Sequence, residues 1–282
     1  MSTKEEAMTT QELEQTQAAW DTIAAGYDEF VTPTHMWLGN ETLRRADLRA
    51  DMRFLDVAAG SGALSIPAAR LGARVISTDI SPTMVARLEA RARKERLDLE
   101  ARVMDGHALE LEDDTFDVSG SQFGVMLFPD LPRALREMAR VTKHGGKVVV
   151  VTFGNPMEIE FFGFFMRAMQ AAVPGFTGPP MDPPPIAFQI VDPEVFRSRM
   201  VGAGLKDVKI DTITEKLEYT SGKHLWDWLL GSNPLATMMT ADLSKDQVAV
   251  VQNAMGKLIR ERAGGSGTAV LTNPIHIGFG TK

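Results

Sequence analysis

Acids and a glycine-rich turn recur at regular intervals in the first half of the chain. Residues 55–65 read LDVAAGSGALS. An apolar run containing Asp56 leads into Gly60 and Gly62, and then into residues suited to open a helix. Glycines in such a turn let the backbone approach a ligand and take positive φ. The amides at the start of the next helix can face an anionic group. Asp79 ends the run RVISTD, 23 residues after Asp56. A carboxylate at that strand end suits the two hydroxyls of a ribose; capping the next turn is its plainer use. Asp105 ends a third run and is followed by Gly106 and His107, where a carboxylate can accept from an adenine amino group. Ala58 stands at the first position where such turns usually carry glycine. Its methyl group is expected to sit in ordinary β or α dihedrals.

The chain has five histidines and no cysteine. Disulfides, thiolate metal sites and a cysteine nucleophile are thereby excluded. His35, in TPTHMWLG near the N-terminal end, is the candidate catalytic group. His107 is read as edging an adenine, His144 as a turn residue, and His224 as part of an amphipathic helix. His276 is read as packed in the last strand. No group of ligands has metal-site spacing, so no metal is expected.

These residues need elements to position them. Trp20, Ile23, Ala24, Tyr27 and Phe30 mark one face of a helix over about 14–30, and a second helix is expected over about 40–50. Strands are predicted at 53–58, 74–79, 99–104, 116–122 and 147–153. Helices are predicted between them, one of them capped by Ser81 with Pro82 in its first turn. KVVVVTF (147–153) is continuously apolar, as a strand buried on both faces requires. Strands alternating with helices predict an α/β fold with a mostly parallel sheet covered on both faces. After residue 154 the pattern loosens: a helix over about 157–173, a proline-rich loop, and a helix capped by Asp192. A strand over about 205–216, helices near 221–231 and 244–263, and a final strand over 268–279 follow. The apolar stretch NPLATMMT between the last two helices is read as irregular.

The chain has 282 residues, 44% of them hydrophobic, and a net charge of −7. One elaborated α/β domain is expected. The acidic balance argues against nucleic acid as a partner. No stretch approaches the ~20 apolar residues of a membrane span, and the polar N-terminus carries no apolar signal run. A cytoplasmic protein is expected.

The set Asp56-x-Ala-x-Gly60-x-Gly62, Asp79, Asp105-Gly-x-Ala108, Phe116-Asp117 and Arg140-Val141-x-x-x-Gly145-Gly146 resembles, in order and spacing, the motifs of class I S-adenosylmethionine-dependent methyltransferases. The likeness is greatest to the ubiquinone/menaquinone biosynthesis C-methyltransferases and covers about residues 18–154. It implies a Rossmann-like, mostly parallel seven-stranded sheet with the last strand antiparallel. It also implies a helical N-terminal lid (1–50), a cofactor-binding core (51–154), and a C-terminal half (155–282) with a helical insertion before the last strand. S-adenosylmethionine is the implied cofactor. Gly60 and Gly62, with Ala58, would form the turn beside its amino-acid part, and Asp56 would fix that turn. Asp79 would bind the ribose. Ile80 and Met84 would border the adenine, and Asp105, Gly106 and His107 would contact it. Ser121, Gln122 and Phe123 would face the methionine end, and Tyr27 would close over the whole. His144 replaces the usual proline before the Gly-Gly turn.

The implied reaction is O- or C-methylation of a small acceptor. FFGFFMRAMQ (161–170), with Trp37, Met126, Phe128, Trp226, Met238 and Met239, is expected to supply either core or an apolar pocket for an aromatic or hydrophobic acceptor. A homodimer stays open. A non-methylating enzyme on the same fold and a non-catalytic scaffold are the alternatives. A nicotinamide-dependent dehydrogenase ranks behind, because Ser65 stands where its fingerprint needs a small apolar residue. The base-amine methyltransferase signature is missing after the fourth strand, where the chain reads SGSQFG.

Overall fold

A computed structural model describes residues 10–180, 182–232, 234–265 and 267–282. Expectations for residues 1–9 lie outside the described residues. Side-chain alternation builds the sheet that carries the site. In β1 (Arg53–Val57) Phe54 points to one face, and Leu55 and Val57 to the other. In β5 (Thr142–Phe153) Val149 and Val151 oppose Val148 and Val150 in the same way. Both faces are therefore apolar and both are covered.

One face packs against α2 (Thr32–Arg45) and α3 (Ser65–Arg70) through Leu38, Leu43 and Ala68. Beside it, α4 (Pro82–Glu95) packs Leu88 and Ala92 on Ile66. The other face packs against α5 (Leu131–Val141) and α7 (Pro193–Gly202) through Leu135, Met138, Phe196 and Met200. Strands β2 (Arg74–Asp79), β3 (Leu99–Val103) and β4 (Phe116–Gln122) pair parallel with their neighbours. β7 (Ala269–Thr281) runs antiparallel to both β5 and β6 (Lys206–Tyr219). The order is β3-β2-β1-β4-β5-β7-β6, the expected seven-stranded Rossmann-like sheet with an antiparallel last strand. A dinucleotide dehydrogenase would instead repeat a second parallel half.

A third apolar cluster joins α6 (Glu160–Ala172), α8 (Gly222–Ser232) and α10 (Lys245–Ala263) to Leu217 of β6 and Leu271 of β7. α9 (Pro234–Thr240) lies between α8 and α10, so most of NPLATMMT is helical where irregular chain was expected. Asn233 falls outside the described residues.

The N-terminal region departs most from expectation. α1 (Thr10–Gly26) passes through a π-helical turn, Tyr27–Val31, directly into α2. The second helix therefore begins at Thr32-Pro33, well before residue 40. Pro33 is the signal: its preset φ suits a helix's first turn, and its missing N–H is not needed there. His35 thus sits on a helix rather than in a loop. Among the described residues no helix is long and apolar enough to cross a membrane.

Candidate active site

The turn after β1 is shaped by hydrogen bonds from two directions. The Ala59 amide donates to the Thr78 carbonyl at 2.9 Å. The Gly60 amide donates to Asp79 Oδ2 at 2.8 Å, while Asp79 Oδ1 accepts the Ser81 amide at 2.9 Å. Gly60 has φ +54, and a Cβ there would lie 3.1 Å from the Tyr27 ring. Gly62 has φ +104, and a Cβ there would lie 2.4 Å from Leu88 Cδ1. Gly62 therefore serves the packing of α4 rather than the ligand side of the turn. Ala58 also lies in the left-handed region, at φ 55. This corrects the expectation of ordinary dihedrals: the turn needs positive φ at this position, which explains the usual glycine.

Around this turn opens a cleft of about 1000 Å³, counted with its mouth to solvent. It is lined by Tyr27, Ala58, Gly60, Asp79, Ile80, Met84, Asp105, Gly106, His107, Gln122 and Phe123. Three predicted residues do not line it. Asp56 is buried behind the turn, where its Oδ2 accepts Ser65 Oγ at 2.5 Å, and Ser77 Oγ donates to Ser65 Oγ in turn. Gly62 faces α4. Ser121 Oγ accepts the Val125 amide at 3.1 Å, capping the short turn after β4. Strand alternation separates Ser121 from Gln122, which does reach the cleft. Sequence reading missed Trp20, Met104, Leu127, Phe128 and Ile186 on the lining. The sequence marks Trp20 only as part of the apolar face of its helix. Its spacing from Tyr27, two helical turns, was the available signal, and the two rings meet edge-on at 6.2 Å.

The electrostatics follow from burial. Asp79 is pushed up to about 6 by burial, partly offset by the Ser81 and Gly60 amides. Asp56 is pushed up to about 7 by burial, against its bond from Ser65 and with the Asp79 charge adding to the rise. Burial also opposes ionisation of Asp105, but both the amide and Nδ1 of His107 contact its Oδ1, at 2.9 and 2.8 Å, and hold its carboxyl below the usual range. The His107 ring lies 4.6 Å from that of Phe128. Among the described residues, His107 Nε2 and Gln122 Oε1 are buried without a hydrogen-bond partner. Both residues line the cleft, so these atoms are available to a partner from outside the chain.

The helical N-terminal run covers one side of the cleft and is tied to α4. Asp21 Oδ1 accepts Ser81 Oγ at 2.5 Å and the Thr83 amide at 3.2 Å. Asp28 pairs with Arg91 and stands 3.5 Å from Arg87.

A second cavity, of about 880 Å³ with its mouth, adjoins the first and shares Trp20, Tyr27, Phe123 and Leu127 with it. Its walls are apolar: Phe161, Phe162 and Phe165 of α6, with Phe153, Phe188, Trp228, Met126 and Met239. Several residues expected here lie elsewhere. Trp37 is 41% and Met238 72% exposed, Phe128 lines the first cleft, and Trp226, Phe164 and Met169 are core. Residues two apart on a helix face opposite ways, so α8 offers the cavity Trp228 rather than Trp226.

His35 lies in the wall of this second cavity. Its Nδ1 is 2.9 Å from the Val31 carbonyl, and its Nε2 is 3.1 Å from Oε1 of the fully buried Glu215. The second approach is an ion-pair contact off the line of an ideal hydrogen bond. Burial works against the charged ring, but Glu215 and the Val31 carbonyl outweigh it and raise the His35 pKa. Asn273 Nδ2 donates to Glu215 Oε2 at 3.1 Å. A lone glutamate in an alternating strand gave no signal of this partnership. His276 bonds to Thr212 and to the Val191 carbonyl, within the sheet and its cover. No metal-binding group of acids and histidines occurs among the described residues.

Residues 55–150 match the methyltransferase domain family. An uncharacterized protein of Mycobacterium tuberculosis is 36% identical over 172 residues, covering 61% of this chain and 60% of the relative. This chain therefore spans about 60% of the length of that relative. The demethylmenaquinone methyltransferase of Streptomyces griseus is 35% identical over 162 residues, 55% of this chain and 67% of the relative. Among solved structures, phosphoethanolamine N-methyltransferase 2 of Haemonchus contortus, in complex with S-adenosyl-L-methionine, matches with TM-score 0.58 at 19% identity, over 100% of this chain and 61% of that one. With the turn, the acids at the ends of successive strands and the sheet order in place, the chain belongs to the class I S-adenosylmethionine-dependent methyltransferases.

Proposed function

We propose that the protein transfers the methyl group of S-adenosylmethionine to a small acceptor with a mainly apolar body. The observation that carries this reading is the pair of adjoining cavities, one polar-floored and one apolar, which meet at Tyr27, Phe123 and Leu127. A cofactor in the first and an acceptor in the second would be brought together at that junction. Holding two reactants close and aligned supplies much of the catalysis of an in-line displacement.

The residues of the first cleft fit the cofactor. Asp79 keeps acceptor capacity beyond its two backbone partners and would take the ribose hydroxyls. Asp105 Oδ2, Ile80, Met84, Gly106 and His107 would surround the adenine. The Gly60 turn and the unpartnered Gln122 Oε1 would take the amino-acid end, whose ammonium needs an acceptor. Tyr27, with Trp20, would cover it as part of a lid formed by the N-terminal helices. When bound, the cofactor supplies an electrophilic methyl on a positively charged sulfur. Phe161, Phe162, Trp228 and Met239 would hold the acceptor by apolar contact, and methionine adapts readily to ligand shape.

Isothermal calorimetry with S-adenosylmethionine and S-adenosylhomocysteine tests the reading. Micromolar binding of both is expected; no heat with either would end it. Radiolabelled methyl transfer to a panel of phenols and quinols then separates methyl transfer from other chemistry on the same fold.

A further inference from the structure

Besides the Tyr27 phenol that it shares with the first cleft, the apolar cavity has one ionisable side chain among the described residues of its wall, His35, and that side chain contacts the buried Glu215. The Val31 carbonyl can only accept, so Nδ1 of His35 carries a proton. Nε2 faces Glu215, which leaves two arrangements: an imidazolium beside a carboxylate, or a neutral ring beside a carboxylic acid. Two observations favour the ion pair, the Asn273 donor and the burial of Glu215 against His35. The side-chain amide of Asn273 donates to the far oxygen of Glu215. The rings of Phe123 and Trp228 pack around the imidazole at 5.3 and 5.9 Å between centroids, the first edge-on and the second tilted, and hold it in the wall. Glu215 is at 0% exposure, and the compensating charge for its ionised form stands at contact distance in His35.

No Asp, Glu, Lys or Arg is among the described residues that line the cavity. Tyr219 adds a phenol on the same strand as Glu215, raised well above its usual pKa by burial and by the Glu215 charge. His224 of α8 lies beyond it, its ring 5.5 Å from that of Tyr219. From α2, Thr34 Oγ1 sits 3.3 Å from Nδ1. From β4, the Gln122 amide donates to the His35 carbonyl. That bond ties the His35 backbone to a residue of the first cleft.

We propose that Glu215 is a positioning residue that holds His35 as an imidazolium in the cavity wall, and that this cation selects acceptors carrying an ionised oxygen, a phenolate or an enolate, on an apolar body. The proposal deepens the acceptor assignment and rests on reading this cavity as the acceptor site. With both ring nitrogens engaged, His35 acts by its charge and not by taking the acceptor's proton.

Two measurements test it without turnover. In protein labelled with ¹⁵N-histidine, both ring nitrogens of His35 are expected to show imidazolium shifts near neutral pH, and the neutral pattern in Glu215→Gln. A neutral ring in the unmodified protein overturns the proposal and needs no variant to fold. The second probe is 4-nitrophenol, whose phenolate absorbs visibly. Bound to the protein, it is expected to titrate about tenfold more readily than free, with the shift lost in Glu215→Gln and in His35→Gln. A bound phenol that titrates unshifted, or upward as in a purely apolar pocket, overturns the proposal. Failure of the methyltransferase reading shows separately, as absence of S-adenosylhomocysteine binding in calorimetry. Both variants are expected to keep that binding.

Discussion

Asp79 reaches back across the sheet edge to take the Gly60 amide at 2.8 Å, so the end of β2 fixes the ligand-side turn that follows β1. The same carboxylate takes the Ser81 amide ahead of α4. One side chain thereby shapes both turns at the cleft floor and still lines the cleft. Asp79→Asn keeps the size but replaces one acceptor oxygen with a donor group, setting N–H against N–H. A hydrogen bond to a charged group contributes about 1.5–3 kcal/mol. Affinity for S-adenosylhomocysteine is expected to fall roughly ten- to a hundredfold. Unchanged affinity by calorimetry would remove Asp79 from the site.

Asp56 makes a pH prediction. Burial raises its pKa from 3.8 to about 7, so the fold prefers the protonated form. Its contribution to stability is complete below the ordinary carboxylate value and is lost as the pH rises through about 7. The loss amounts to about 1.4 kcal/mol for each unit of the rise. Asp56→Asn stays neutral and can still accept from Ser65. Its Tm, measured without cofactor, is expected to gain on the unmodified protein as the pH rises from acid to neutral. Parallel Tm curves would show that Asp56 ionises at no cost to the fold.

Ala58 stores backbone strain. An alanine in the left-handed region is disfavoured by about 1–2 kcal/mol, whereas glycine loses about 0.5–1 kcal/mol through unfolded-state freedom. Ala58→Gly is therefore expected to stabilise by about 0.5–1 kcal/mol, with cofactor affinity unchanged. Denaturant unfolding checks this. A clear destabilisation would mean that the packing of the methyl group against Gly124 outweighs the dihedral.

The pairing of Asp28 with Arg91 and Arg87 latches the N-terminal helices to α4. Partly exposed pairs contribute about 0.2–1 kcal/mol each and weaken with salt. Asp28→Asn is expected to raise the release rate of S-adenosylhomocysteine about two- to fivefold, read by tryptophan fluorescence in a stopped-flow instrument. Added salt should speed release from the unmodified protein and leave the variant nearly unaffected. Equal salt dependence in both would place the latch elsewhere.

Local features of the chain carried a great deal. The alternation of apolar runs with helical segments and the Ser81-Pro82 start of α4 depend on neighbours in sequence, and they located the strands and helices between residues 53 and 153, though not the N-terminal helix boundary. Asp79 at the end of β2 and Asp105 two residues past β3 were readable for the same reason: parallel strands deliver their C-terminal ends to the same edge of the sheet. What lay beyond sequence reading depends on contacts between distant segments. Nothing near Glu215 announces that β6 brings it to His35 of α2, because the partnership exists only once both have packed against the sheet. The choice of Trp228 over Trp226 and Trp37 for the cavity was set by the rotation of α8 and α2 against their neighbours, to which composition is blind. The sign of φ at Ala58 was decided by the closure of the turn onto Thr78 and Asp79, not by the residue itself. The sequence alone determined a nucleotide-type cradle and its sheet; tertiary packing decided which side chains face the second cavity, because only packing chooses among residues of equal hydrophobicity.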